Sequence, residues 1–382
     1  MKRKIVLSVL ILAMALIFAA CGGNDNYNDY ENVNGDLGEF GLHRVREETW
    51  DGFETRSVIT IFYYDYQSDS REQRYRDIIE EGFEKIRELD GIFNRFIEGT
   101  DVWRLNNAGG EFVEVSPHLI NVLRYSQELR EMSGGGFDIT IGAVSQFWGF
   151  SGVNLPRGSM PTQEQLDWAL PLVGTEIIIE GNMARLAHPE AKVDLGGVAK
   201  GYATDVVAAL LKEHGVLGIV DMGGDNMLVG QRPDGNAWRV GITLPFTRHL
   251  PDDYTIGAVN VVGTYAVLSS AIDIRYFMID DDFHHHILDV NTGMPVGDEM
   301  LSVTVAAPNG VMGEGMTTAI FALGPIEGMA LVNRTPGVEA VIILRDLTPE
   351  GRPIMVSEGL GEGGDIWYED WLAGIDFGGI DE

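Results

Sequence analysis

The stretch VDLGGVAKGYATDVVAALLKEHG, residues 193–215, carries the reading of the whole chain. It predicts a strand end, a glycine turn at Gly196-Gly197, and then a helix with Lys200 in its first turn. Apolar residues at Ala199, Tyr202, Ala203, Val206 and Leu210 keep the 3.6-residue period of one buried face. Gly215 stands where a left-handed helix stop is expected. Free N–H groups at a helix start, a turn without side chains and one cation suit a phosphate. An ordinary surface lysine on an ordinary helix explains the same residues equally well.

Outward from this stretch, helices and strands mix without strict alternation. Residues 57–63 (SVITIFY) read as a strand, and 69–89 as an amphipathic helix with Ile78, Ile79, Phe83, Ile86 and Leu89 on one side. A second helix spans 116–132, capped by Ser116 with Pro117 at its first position. A short helix at 162–170 and a strand at 176–180 follow. Further strands are expected at 218–220, 238–243, 255–262, 302–307 and 339–344, with a helix at 315–323. This pattern predicts an α+β fold rather than a doubly wound parallel sheet.

Composition bounds the function. The 382 residues are 45% hydrophobic with 48 glycines, which describes a globular, turn-rich chain. A formal charge of −31 removes the basic footprint of a nucleic-acid binder. The one cysteine, Cys21, excludes an internal disulfide and a cysteine zinc site. It closes a leader in which Lys2, Arg3 and Lys4 precede an apolar run ending at Ala19-Ala20. Residues 1–20 therefore read as a secretory signal and FAAC as a lipobox-like cleavage site, with lipid on Cys21. That start predicts anchoring at the outer face of a bacterial cytoplasmic membrane, or the periplasmic side where the host has two membranes. Residues 21–50 read as a flexible acidic tether, 51–360 as one large domain and 361–382 as an acidic, aromatic tail.

Several groups are equipped for chemistry. Glu314 and Thr318 are spaced i, i+4, so on a helix their oxygens share one face and suit a hard cation such as Mg²⁺. A first-turn glutamate beside a back-bonded threonine is the plainer explanation. In His284-His285-His286 strand alternation turns neighbours opposite ways, so His286 alone is expected to point into a site and act as proton acceptor, the other two being solvated. Gly223-Gly224-Asp225 follows a strand and admits either a nucleotide or a plain turn. No P-loop lysine or G-x-S-x-G elbow is present, which argues against P-loop and α/β-hydrolase chemistry.

In order along the chain, FETRSVITI, TDVWRLN, GGGFDITIGAVSQFWGF, VDLGGVAKGYATD, MGGD, SSAIDIRYF, HILDVNTGMP and GEGMTTAIFALG resemble the ApbE family of FAD:protein FMN transferases. The resemblance covers residues 53–360 and implies a single mixed, T-fold-like domain. It implies Mg²⁺-dependent transfer of FMN from FAD to a threonine or serine hydroxyl of an acceptor flavoprotein at the membrane, with release of AMP. By the same resemblance Gly197, Glu314 and Thr318 hold the metal and Lys200 and His286 serve catalysis. Phe96, Thr100, Asn106, Asp138, Gly223, Gly224 and Asp225 fall at flavin or nucleotide positions. Glu314 stands where the family's usual metal ligand is aspartate, Ala271 where glycine is usual, and Phe96 where a tyrosine is frequent. A FAD pyrophosphatase yielding FMN and AMP, and a non-catalytic FAD-binding lipoprotein, are the competing functions.

Overall fold

The computed structural model describes residues 42–64, 69–150, 156, 158–247, 255–280, 282–346 and 353–363. The expected signal, Cys21 and nearly all of the tail lie outside the described residues. Eight strands, all but the first rich in β-branched and other apolar residues, form one sheet among the described residues. They are β1 (Leu42–Thr49), β2 (Ser57–Tyr64), β3 (Leu217–Met222), β4 (Asp225–Val229), β5 (Tyr265–Ala271), β6 (Met300–Ala307), β7 (Glu339–Leu344) and β8 (Ile354–Val356). Their spatial order equals their chain order, and every neighbouring pair is antiparallel. The expected α+β class is what the sheet shows.

Four helices matter to the site: α1 (Asp69–Phe93), α2 (Pro117–Met132), α3 (Ala199–Glu213) and α4 (Gly310–Asn333). Helix α1 packs on β1 and β2, α3 on β3 and β4, and α4 on β5, β6 and β7. Helices α1, α3 and α4 also touch in that order, so they form a continuous layer, with α2 packed on α4. The reason lies in the apolar period: Tyr75, Ile78, Ile79, Phe83, Ile86, Leu89 and Phe93 are all buried along α1. Ser116 caps α2 by accepting from the Leu119 amide at 3.2 Å. At the end of α3, Val216 N donates to Leu211 O and Gly215 N to Lys212 O, both at 3.0 Å. That double bond pattern is a Schellman stop.

Two boundaries differ from expectation. The segment assigned to a tether up to residue 50 contains β1, which pairs with β2 along its full length from Leu42↔Tyr64 to Thr49↔Ser57. Only Leu42 and Val45 of β1 are buried, so its sequence, LHRVREET, looks like linker. The helix expected at 315–323 is the first half of α4, which continues past a backbone break at Gly324 (φ 79°, ψ 170°), followed by Pro325.

A smaller apolar cluster of Ala143, Val144, Trp148, Leu166, Ala169 and Leu172 lies apart from the sheet core. Trp148 Nε1 donates to Gly293 O at 2.9 Å, tying this cluster to the turn after the histidines. The hairpin of Tyr276–Ile279 with Asp282–His285 leads into that turn. Between this lobe, the segments that flank the hairpin and the helix layer lies the cavity described next.

Candidate active site

Helices α3 and α4 meet backbone to backbone. A Cβ on Gly201 would lie 2.2 Å from Gly310 O, and one on Gly310 would lie 2.3 Å from Gly201 O. Only residues without side chains allow that approach. Asp205, one turn further along α3, caps the start of α4: its Oδ1 accepts from Gly310 N at 2.6 Å and its Oδ2 from Val311 N at 3.0 Å. Burial pushes the Asp205 carboxyl up to about 6 despite these two amide donors. The crossing places Glu314, a turn into α4, against the first turn of α3. Lys200 Nζ donates to Glu314 Oε1 at 2.6 Å, and Gly201 N donates to Glu314 Oε2 at 2.7 Å.

The third member arrives from the sheet. Gly223 (φ 69°) and Gly224 (φ 97°) form the two-residue turn between β3 and β4. Positive φ at both positions is what such a tight hairpin requires. Asp225, first in β4, thereby reaches Lys200 and accepts a short hydrogen bond from Nζ. Burial alone would lower the lysine's pKa, but the charges of Asp225 and Glu314 outweigh it and hold Lys200 above its usual range. One lysine cannot neutralise two carboxylates. Burial first, and then the charge of Asp225, accordingly leave Glu314 raised despite Lys200. Burial and the neighbouring Asp225 also raise Asp221 to about 6.

His286 follows the histidine-bearing strand directly. Its backbone N donates to Arg275 O at 3.0 Å and its ring Nδ1 lies 3.2 Å from the same oxygen. A carbonyl oxygen only accepts, so Nδ1 carries the proton and Nε2 presents a lone pair. Burial, then the Arg275 charge, hold the imidazole at about 3, hence neutral near pH 7. The other two histidines are not solvated as expected. His285 is buried, with Nε2 at 3.0 Å from Val296 O, and His284 packs against Trp148 and Phe277 with ring centroids 5.9 and 5.8 Å away. His285 is thus enclosed by protein, while His284 is half-buried.

Gly197, Lys200, Gly223, Asp225, His286, Glu314, Thr318 and Asp138 all line this one cavity. The carboxylate of Asp138 is already occupied by Arg130 Nε at 2.6 Å and by Thr140 N and Oγ1 at 2.8 and 2.6 Å. Gly224 forms the β3–β4 turn behind Asp225 without lining the cavity. Three further expected residues lie outside the lining. Thr100 caps the helix Asp101–Asn106 by accepting from Trp103 N. Asn106 clamps Val193, with Nδ2 donating to its carbonyl at 2.9 Å and Oδ1 accepting from its amide at 2.7 Å. Phe96 is covered by the Arg95 guanidinium, 4.7 Å from the ring centre. Thr100 and Asn106 serve local structure there, because their short polar side chains bond nearby backbone groups.

Sequence reading did not find the opposite wall. Arg95 pairs with Asp194 at 3.1 Å and donates to Ser145 Oγ at 2.8 Å, and that hydroxyl donates to Asp194 Oδ2 at 2.7 Å. Burial would raise the Asp194 carboxyl, but Arg95, Ser145, the Gly196 amide and Arg275 together hold it below its usual range. Arg275 also lines the cavity. For a metal, among the described residues no group of three or more His, Cys, Asp or Glu side chains stands ready. Glu314, Thr318 and Gly197 all line the cavity, and a Cβ on Gly197 would lie 3.2 Å from Thr318 Oγ1, one helical turn beyond Glu314. A carboxylate, a hydroxyl and a carbonyl are hard donors of the kind Mg²⁺ accepts.

Residues 53–342 match the sequence model of the ApbE family. The FAD:protein FMN transferase of Vibrio cholerae is 30% identical over 249 residues, which is 64% of this chain and 73% of that protein. The enzyme of the same name from Haemophilus influenzae is 24% identical over 353 residues, covering 90% and 94%. Among solved structures, the flavin transferase ApbE from Vibrio cholerae matches with a TM-score of 0.69 at 26% identity, over 84% of this chain and 99% of that one. The ApbE protein of Thermotoga maritima matches with a TM-score of 0.70 at 26% identity, over 84% and 98%. A family match over most of the folded chain, joined to the shared architecture, means that the chain belongs to the ApbE family.

Proposed function

We propose that the protein is a FAD:protein FMN transferase. The observation that carries this reading is the convergence, in one cavity, of Lys200 between two buried carboxylates with a neutral His286 whose Nε2 lone pair is open. In the proposed step an acceptor threonine or serine hydroxyl attacks the phosphorus of the FMN half of FAD. The new oxygen–phosphorus bond forms as the pyrophosphate bond breaks, and AMP leaves with the bridging oxygen. His286 Nε2 takes the hydroxyl proton. Lys200 supplies positive charge where the pyrophosphate sits, and such transfer depends mainly on positioning and charge stabilisation. A pyrophosphate entering the cavity brings negative charge that offsets Arg275, so substrate strengthens His286 as a base.

Glu314, Thr318 and the Gly197 carbonyl would hold Mg²⁺, which supplies charge neutralisation for the phosphates when bound. The acidic excess around Lys200 supports that reading. Lipid attachment at Cys21, with the domain facing outward from the membrane, is proposed on the leader alone. Radiolabelled palmitate incorporation abolished by Cys21→Ser checks it.

The deciding experiment incubates the protein with FAD, Mg²⁺ and a co-expressed acceptor flavoprotein. A mass gain equal to FMN on the acceptor, with AMP released, is expected for the wild type, and at least a hundredfold slower transfer for Lys200→Ala and His286→Ala. Free FMN and AMP without adduct would make the protein a pyrophosphatase instead. No AMP at all would leave only a FAD-binding role. Undiminished transfer in both variants would remove these residues from the mechanism.

A further inference from the structure

Three cations line the cavity among the described residues: Arg95, Lys200 and Arg275. Arg95 is engaged by Asp194 and Ser145, and Lys200 by Asp225 and Glu314. The Arg275 guanidinium makes no hydrogen bond or ion pair among the described residues, and only its backbone oxygen is engaged, by His286. Arg275 lines the same cavity as Asp194 and His286, and its charge acts on both. A planar guanidinium left without a carboxylate in an otherwise paired cavity matches the oxygens of a phosphate in fork geometry.

We propose that Arg275 is a substrate-binding residue that grips the phosphate of the FMN half of FAD, the group being transferred. The assignment rests on the transferase reading above. It follows from the anchoring of His286, since both its backbone N and its Nδ1 are tied to the Arg275 carbonyl. The base must stand beside the hydroxyl that attacks the FMN phosphorus, and Arg275, whose carbonyl holds that base, lines the same cavity. Lys200, fixed between Asp225 and Glu314 on the α3–α4 side, is left to the rest of the pyrophosphate. Arg275 thus does two things at once: its carbonyl orients the proton acceptor, and its guanidinium fixes the phosphoryl group.

The test compares binding of FMN and riboflavin to the full-length protein by flavin fluorescence, since the two ligands differ only in the phosphate. Wild type is expected to prefer FMN by about tenfold or more, as for a charge-assisted bidentate contact. Arg275→Gln should lose that preference while riboflavin binding stays the same, and Arg275→Lys, which keeps the charge but not the fork, should retain part of it. Transfer assays on the same variants should show a raised KM for FAD together with a lower kcat. A wild type without preference for FMN, or an Arg275→Gln variant that keeps it, overturns the proposal, as does an Arg275→Lys variant no better than Arg275→Gln. These binding results do not depend on turnover. If the wild type releases no AMP, the transferase reading falls while the flavin preference still decides whether Arg275 holds a phosphate.

Discussion

The site works at the residue scale through an imbalance of charge around Lys200. Glu314→Gln keeps the shape and the Gly201 amide contact but leaves one carboxylate on the lysine. Transfer should fall at least tenfold and require more Mg²⁺, which a magnesium titration of AMP release measures. His285 gives a second, independent prediction. Its ring donates from Nε2 to Val296 O and accepts at Nδ1 from Ile287 N at 3.3 Å, so the neutral ring is satisfied on both sides. Burial lowers its folded pKa from 6.5 to about 4. A depressed histidine pKa means that the unfolded chain binds the proton first as pH falls. The stability it contributes is complete above 6.5 and drains away between 6.5 and about 4, on the order of 3 kcal/mol in all. Urea unfolding of His285→Gln between pH 7.5 and 4.5 should show a shallower pH slope than wild type. The residues that sequence reading placed at the site divide on physical grounds. Lys200, Asp225, His286, Glu314 and Thr318 are legible because their types and spacings specify chemistry on one helix or one turn. Arg95, Asp194 and Arg275 are not, because their meeting depends on folding three distant segments together. Thr100 and Asn106 lie outside the cavity lining, where they serve as cap and clamp, a use that short polar side chains share with ligand binding.

Elements hold this geometry through one close crossing. The Gly201–Gly310 contact lets α3 and α4 approach until Lys200 and Glu314 bond directly. Gly201→Ala drives a methyl to 2.2 Å from a backbone oxygen, and backbone yields less readily than side chains. The substitution should cost about 2 kcal/mol or more by overpacking, lowering the thermal midpoint in calorimetry. Because the helices must part, the same variant should also lose most FMN transfer, although Gly201 carries no side chain toward substrate. Activity intact at wild-type stability would show that the crossing does not set the site. The helices themselves are legible in advance from cap and period: Ser116-Pro117 opens α2, and Gly215 ends α3. The extent of α4 is not, since Gly324-Pro325 reads as a stop, whereas the chain breaks for one residue and resumes its helix to Asn333.

On the scale of the whole molecule, the sheet begins earlier than composition suggests, and this changes what counts as the folded protein. Charged residues dominate LHRVREET because β1 is an edge strand, with Leu42 and Val45 turned to the core and most other side chains at least partly exposed. Linker and edge strand therefore share a composition, and only pairing separates them. The ladder of β1 on β2 is complete over eight residues, and ion pairs of Arg56 with Glu48 and of Arg76 with Glu47 fasten β1 to the β1–β2 connection and to α1. A chain starting at residue 51 loses two buried side chains worth about 1.5–3 kcal/mol each. It also bares the edge of β2, a strand whose sequence, SVITIFYY, is rich in β-branched and aromatic residues. Such an exposed edge invites pairing between chains. We expect residues 42–382 to be soluble with the thermal midpoint of the longer protein. Residues 51–382 should melt at least 10 °C lower or aggregate, as read by calorimetry and size-exclusion chromatography. Equal midpoints and equal monodispersity for the two fragments would return β1 to the status of a tether.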